Sequence, residues 1–272
     1  MPAYIIRRLI FLPPLILGIS FLSFALINLS PSDPAEVALR VNEMIPTQEA
    51  VEAMRQELGL DRPFLTRYAD WLESCLRLDF GTSYTTRKPV LDDFIPAIKP
   101  TIHLALVTLI LIVIPSLILG VVCAVQEGRW PDYLGRVFVF FSTAIPNYWL
   151  GLLLLWLFAV KLNWLPLGGM SDRGAVILPA ATLALAYIGT YLRLIRGSML
   201  TNLKSNYAAY ARVRGLKQSA VIWKHVLVNS LQSSITALGM SIPKLIAGTV
   251  VVENIFAWPG LGRLCVRAIF DR

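Results

Sequence analysis

Five stretches of this chain run for nineteen to twenty-seven residues without a single Asp, Glu, Lys or Arg: 9–32, 100–126, 137–160, 174–192 and 225–243. Each supplies most or all of the roughly 20 residues that an α-helix needs to cross a hydrocarbon layer. The last resumes beyond Lys244 and stays uncharged to Val252. In lipid, every backbone N–H and C=O must find its partner within the protein, so apolar runs of this kind become helices. The chain therefore reads as all-α, a polytopic helical membrane protein with about five spans near 9–29, 102–125, 137–160, 176–195 and 229–252. Composition agrees: 56% of the 272 residues are apolar, 15% are charged and the mean hydropathy is +0.63. An ordinary soluble domain carries far more charge.

The net charge of +8 raises the question of nucleic acid, and its distribution answers it. Arg7 and Arg8 precede the first run, and seven Lys or Arg with no acidic residue lie between Arg193 and Lys224. Residues 31–99 carry twelve acidic against eight basic side chains. Basic flanks stay on the cytoplasmic side of a membrane. The N-terminus and the 196–228 loop are therefore placed inside and the 31–99 segment outside. The short loop 126–136 returns inside, with Arg129 and Arg136 set against Glu127 and Asp132. Five spans then leave the C-terminus outside. The partner of this charge pattern is a lipid bilayer, with no nucleic acid. The first run exceeds the roughly 7–15 residues of a signal-peptide core, so it reads as an uncleaved span. Three regions follow: an N-terminal span (1–30), an extracytoplasmic segment (31–100) and a transmembrane domain (101–272).

Groups that do chemistry are scarce. His103 and His225 are the two histidines and fall at opposite membrane faces. Cys75, Cys123 and Cys265 have no ligand spacing, so no metal site is expected. Cys75 and Cys265 both fall outside, where a disulfide is chemically allowed. No Ser–His–Asp grouping and no Gly-x-x-x-x-Gly-Lys-Ser/Thr loop occurs. The chain is not expected to be an enzyme or to hold a cofactor; if it uses nucleotide energy, another chain binds the nucleotide.

The outer segment opens on a turn, Ser30–Pro34. A helix is expected after Pro46, capped by Thr47, with Glu49 in its first turn and Gly59 at its end. A second should run from Pro63 to about Leu78, with Phe64, Tyr68, Trp71, Leu72 and Cys75 on one face. That face is expected to pack on the membrane domain. Residues 162–175 look like an interfacial hairpin. In the third span Pro146 frees a carbonyl, which gives either a packing kink or a bend beside a water-filled path. The fifth span is polar for a lipid-facing helix, with Ser234, Gly239 and Gly248 among its small and hydroxylated residues. Lys244 lies nine residues before Glu253, about 13 Å along a helix. A lysine at that depth costs on the order of 2.5–3.5 kcal/mol, so it faces a path or a partner unless it snorkels to an interface.

Within the basic loop, Asn206–Gly215 forms a short helix ending at a glycine. Ala209, Tyr210, Ala211 and Gly215 take the places of a Glu-Ala-Ala-x-x-x-Gly loop, of which Ala211 and Gly215 match. Leu227-Val228 stand where Leu-Pro closes the general motif. With LGLDRPFLTRYADWL and LDFGTSY in the outer segment, STAIPNYWLGLLL in the third span and VVENIFAWPGLGRL from Val251 to Leu264, the chain resembles the permease subunit of a bacterial ABC importer. The likeness is to the dipeptide, oligopeptide and nickel branch, and the last stretch and Pro89–Asp93 lean towards the nickel subgroup.

The resemblance implies an ATP-driven importer of nickel or short peptides in the bacterial inner membrane. Its partners would be a second permease subunit, two ABC ATPase subunits that carry ATP and Mg, and an extracytoplasmic substrate-binding protein. Tyr207, Ala208, Ala209, Tyr210, Ala211, Arg212, Arg214 and Gly215 would couple the chain to the ATPase. For Arg212 and Arg214 the alternative is simply to hold the loop inside. Ser234, Gly239, Lys244 and Gly248 would line the path. Glu253, Trp258, Pro259 and Gly260 would meet the binding protein. The family fold has a sixth span, which this sequence does not reach; the alternative is therefore a subunit that binds the ATPase without transporting alone.

Overall fold

The computed structural model describes residues 2–29, 33–41, 44–83, 86–172 and 174–270. Twelve helices account for nearly all regular structure among them, and the one β-feature is an isolated bridge between Thr82 and Pro89. The chain divides into two compact units, residues 1–93 with 268–272, and residues 94–267.

The first unit holds α1 (Pro2–Asn28), α2 (Pro34–Val41), α3 (Gln48–Glu57) and α4 (Phe64–Leu76). The Ser30–Pro34 turn falls partly outside the described residues, and its end instead starts α2. There the Asp33 carboxylate accepts the Ala35 N–H at 3.0 Å and Pro34 opens the helix, where its missing N–H costs nothing. α3 begins as expected, with the Thr47 hydroxyl accepting the Ala50 N–H at 3.3 Å and Gly59 beyond its end at φ +64°. The aromatic face of α4 packs on α1. Phe21 meets Phe64 and Tyr68 edge-on at 5.8 and 5.2 Å, and Phe24 meets Trp71 at 5.6 Å. Edge-to-face geometry sets ring hydrogens against a π-face. The Ser20 and Tyr68 hydroxyls bond at 2.8 Å. Tyr84 and Arg173, from two of the stretches singled out above, lie outside the described residues.

The second unit is built on α5 (Val90–Val125), α6 (Trp130–Ala144), α7 (Asn147–Leu154), α8 (Ile177–Leu203) and α11 (Leu227–Ile255), with the short α9 (Asn206–Val213) and α10 (Gln218–Ala220) between the last two, and α12 (Leu261–Phe270) after them. α7 runs on as π-helix over Leu155–Lys161, and α10 reaches α11 through π-helix over Val221–Val226. Among the described residues four helices are long and apolar enough to cross a membrane, and the bent pair α6–α7 brings the number to five if it is one span.

That pair corrects the third span. Residues 137–160 are not one rod: α6 begins at Trp130, and α7 leaves it at 103° across Ile145–Pro146. Pro146 cannot donate to the α6 ladder, and Ile145, before a proline, is pushed to extended backbone at ψ 126°. The broken pair still lies on α8 between Thr182 and Arg196. Asp132 bonds Arg196, a Cβ at Gly189 would meet Val139 Cα at 3.2 Å, and a Cβ at Gly151 would meet the Thr182 methyl at 3.1 Å. Small residues thus let α6 and α7 approach α8 closely.

Candidate functional site

The basic loop sits at one end of the second unit and is held from inside. Ala208 and Ala211 of α9 are buried in a cluster with Val121, Ile195, Met199 and Val226 from the long helices. One turn apart, they form a single inward face. The helix end is fixed by two backbone bonds, Gly215 N–H to Arg212 C=O at 2.9 Å and Leu216 N–H to Ala211 C=O at 3.3 Å. This is the glycine-terminated cap in which the residue after the helix takes left-handed backbone; Gly215 has φ +77°. The start is tied by the Tyr207 hydroxyl to Asn202 Oδ1 at 2.8 Å, and Asn202 Nδ2 donates to the Ser230 hydroxyl on α11 at 3.0 Å. Arg212 donates to the Leu203 carbonyl at 3.1 Å.

The outward face is what remains. Tyr210 is 65% exposed and Val213 85% exposed, with the Arg214 guanidinium 5.8 Å from the Tyr210 ring centre. Ala209, Arg212, Arg214 and Gly215 are also exposed. The eight residues expected to couple to an ATPase therefore split. Ala208 and Ala211 bind α9 to its own spans, Tyr207 fastens its first turn, and Tyr210 and Arg214, joined by Val213, which sequence reasoning passed over, form the free surface. The signal was available: Val213 is three residues beyond Tyr210 and two beyond Ala211, on the opposite side of the helix.

Along α11 the expected path residues do not share one face. Gly239 and Lys244 are exposed, Gly248 is half-buried, and Ser234 is buried with its hydroxyl unbonded. Gln232, Ser233, Thr236, Pro243 and Ala247 continue the exposed strip that holds Gly239 and Lys244. A groove of about 450 Å³ opens between α8 and α11, lined by Thr190, Arg193, Ser198, Ser233 and Ser241 among others. Ser241 is one turn before Lys244. In the sequence Arg193 reads as a loop charge; its place on the groove with Ser233 depends on helix pairing, which no single run of sequence encodes.

At the opposite end, Glu253 is fully buried. Its carboxylate accepts from the Thr101 hydroxyl of α5 at 2.7 Å and from the backbone N–H groups of Gly262 at 2.7 Å and Arg263 at 3.2 Å. Those two N–H groups belong to the first turn of α12, which has no intrahelical acceptors for them, and a carboxylate there also meets the positive end of the helix dipole. The Leu261 N–H donates to Thr101 Oγ1 at 2.8 Å, and the Trp258 indole N–H donates to the Pro100 carbonyl at 2.9 Å. A Cβ on Gly260 would fall 2.4 Å from the Glu253 carboxyl carbon, and one on Gly262 would fall 2.4 Å from the Val250 Cα. Glu253, Trp258 and Gly260 are thus consumed inside the chain as a three-helix lock, whereas Pro259 is exposed. Of the four residues expected to meet a binding protein, Pro259 is thus the one whose side chain is exposed. The described cysteines are free thiols. Burial raises the Cys75 thiol above its ordinary range, and nearby Asp79 adds to the effect. The described residues contain no group of three metal-ligating side chains.

Comparison with known proteins meets this geometry along the whole chain. Residues 116–272 match the family described as binding-protein-dependent transport system inner membrane component, and residues 1–105 match the N-terminal component of such systems. The metal-staphylopine import system permease protein CntB of Staphylococcus aureus is 37% identical over 269 residues, covering 98% of this chain and 86% of its own length. The glutathione transport system permease protein GsiC is 34% identical over 266 residues in Escherichia coli strain K12 and in Salmonella typhimurium, again covering 98% of this chain and 86% of the relative. A helix-rich multi-pass bundle, a basic loop presenting one short capped helix and matches over nearly every residue agree with one another. The chain belongs to the binding-protein-dependent transport system inner membrane component family, as a permease subunit of the ABC importers of the peptide and nickel branch.

Proposed function

We propose that this chain forms half of a substrate path in the bacterial inner membrane and imports nickel, as an anionic chelate, or short peptides. Its N-terminus and α9 face the cytoplasm. A second permease subunit faces the polar strip of α11, two ABC ATPase subunits bearing ATP and Mg dock on α9 and its counterpart, and an outer binding protein delivers the cargo. The chain itself needs no cofactor and hydrolyses nothing. The observation that carries the reading is the division of α9: two alanines buried against the spans, and an aromatic and cationic surface turned away from them. A helix held this firmly from behind passes a push on its outer face into α8 and α11. The names of the relatives supply the cargo classes, a metal complex and glutathione.

Lys244 sets the sign of the cargo. It is exposed on α11, and a protonated amine repels bare Ni²⁺ while attracting carboxylates. With this chain as the sole permease of its type in the cell, uptake is measured for radioactive nickel supplied free or as a polycarboxylate chelate, and for labelled glutathione. Lys244→Met is expected to lower uptake of the anionic cargo about tenfold, the effect of roughly 1.4 kcal/mol of lost attraction, and to spare free nickel. Wild-type cells that take up none of the three would defeat the importer reading.

A further inference from the structure

Asp132, near the start of α6, is 1% exposed and is the best-partnered carboxylate at the α9 end of the second unit. Arg196 of α8 donates from Nε and Nη2 to its two oxygens at 2.5 and 2.8 Å. Such a fork fixes the plane and position of the carboxylate. The Gly128 N–H donates to it at 3.1 Å, and Arg136 stands 3.6 Å away. Eight residues beyond Arg196, Lys204 Nζ reaches Glu127 Oε1 at 3.1 Å. Lys204 directly precedes Ser205, the residue just before the first turn of α9. The α5–α6 loop and the head of α6 are therefore fastened twice to the end of α8, once two turns before α9 and once at its root.

A buried ion pair is a poor way to add stability, since apolar residues of equal volume often do as well or better. What the fork adds is register. Where α6 lies on α8, Gly189 sits against Val139 and Ser142, and Gly135 faces Cys123 of α5; these contacts are non-directional, whereas the fork joins two specified atoms to two others. α6 is also the half of the broken span whose free end is the Pro146 bend, while α7 beyond it is seated against Thr182 and Phe256 through Gly151.

We propose that Asp132–Arg196, seconded by Glu127–Lys204, clamps α6 to α9 as one rigid body, so that a displacement of α9 by its ATPase turns α6 about the Pro146 bend. Asp132 and Arg196 are positioning residues for coupling. The proposal rests on α9 being the ATPase-docking helix.

The test uses the complex purified with its ATPase, the native cysteines replaced, and spin labels at Leu134→Cys on α6 and Lys217→Cys beyond α9. Labelled copies are assembled with an excess of unlabelled ones, so that only distances within one chain are read. Pulsed electron resonance records the distance without nucleotide and after trapping with ATP and vanadate. With the clamp intact, the distance holds within about 2 Å, the size of ordinary helix adjustments. In Asp132→Asn it broadens on trapping, and in the exchanged pair D132R with R196D it narrows again. Arg196→Lys, which keeps the charge and loses the fork, broadens as Asp132→Asn does and serves if that variant fails to accumulate. A wild-type distance that changes by more than this on trapping overturns the clamp, and so do neutral variants as narrow as wild type. Absence of the ATPase from the purified wild-type complex removes the docking reading and the clamp with it. An ATPase that is present, with distances that spread, removes the clamp alone.

Discussion

Glu253→Ala is expected to lower the thermal midpoint of the detergent-extracted protein by about 10 °C. The carboxylate accepts three hydrogen bonds in a fully buried setting, and each donor left unpaired there costs about 1–3 kcal/mol. The sum is on the order of 3–9 kcal/mol, and at roughly 2–4 °C per kcal/mol for a chain of this size its lower end gives about 10 °C. The loss is local in origin: α12 gives up its first-turn acceptor and Thr101 its link between α5 and α11. Protease cleavage around Ala257–Leu261 should accelerate together with the fall in midpoint. Glu253→Gln, which keeps the volume and one acceptor oxygen, should fall between the two. Gly260→Ala should resemble Glu253→Ala, because its Cβ is directed at the carboxylate. A Glu253→Ala midpoint within about 2 °C of wild type, less than 1 kcal/mol, would show that the lock does not hold the three helices together.

Gly215→Val is expected to reduce uptake tenfold or more while lowering the midpoint by only a few degrees. Gly215 stands at φ +77° with no atom near enough to obstruct a side chain, so the penalty is in the backbone alone. Left-handed backbone costs an ordinary L-residue about 1–2 kcal/mol, and a β-branched one is the least suited to it. The cheapest relief is to unwind the cap, which frees the Arg212 and Ala211 carbonyls and re-aims the end of α9 that carries Val213 and Arg214. Since 1.4 kcal/mol is a factor of ten in an equilibrium, docking should weaken by about that much. ATP hydrolysis by the assembled complex should continue at its basal rate, no longer tied to uptake. Gly215→Asn is the control, because Asn tolerates this conformation, and should retain most uptake. Full uptake by Gly215→Val would remove the helix end from the coupling pathway.

The spans were legible in the sequence because lipid imposes one rule on every residue of a crossing, and five uncharged runs obey it. The caps of α3 and α9 were legible for a similar reason: Thr47 and Gly215 act on their own backbone neighbours. What escaped depends on distant pairing. Glu253 reads as a surface acid beside a Trp-Pro-Gly turn until Thr101, 152 positions away, closes over it. Ala208 and Ala211 resemble a surface made for a partner, yet their small size serves contact with Val121 and Met199 of the same chain. Asp132 and Arg196 balance charges in the sequence and become a fork only once α6 lies on α8. The proline of the third span foretold a break, but not its size, because the bend angle is set by where α7 finds its seat. The α2 helix was hidden by Pro34, which reads as a turn residue and serves here as a helix start.

The central claim is that α9 presents Tyr210 to an ATPase on the cytoplasmic side. Replacing Tyr210 by the photoreactive benzoylphenylalanine in the intact membrane, with the same residue at the buried Ala208 as control, tests it directly. Illumination should join position 210 to an ATPase subunit, in a product that position 208 does not give. Products at position 210 confined to lipid or to proteins of the outer side would contradict the account.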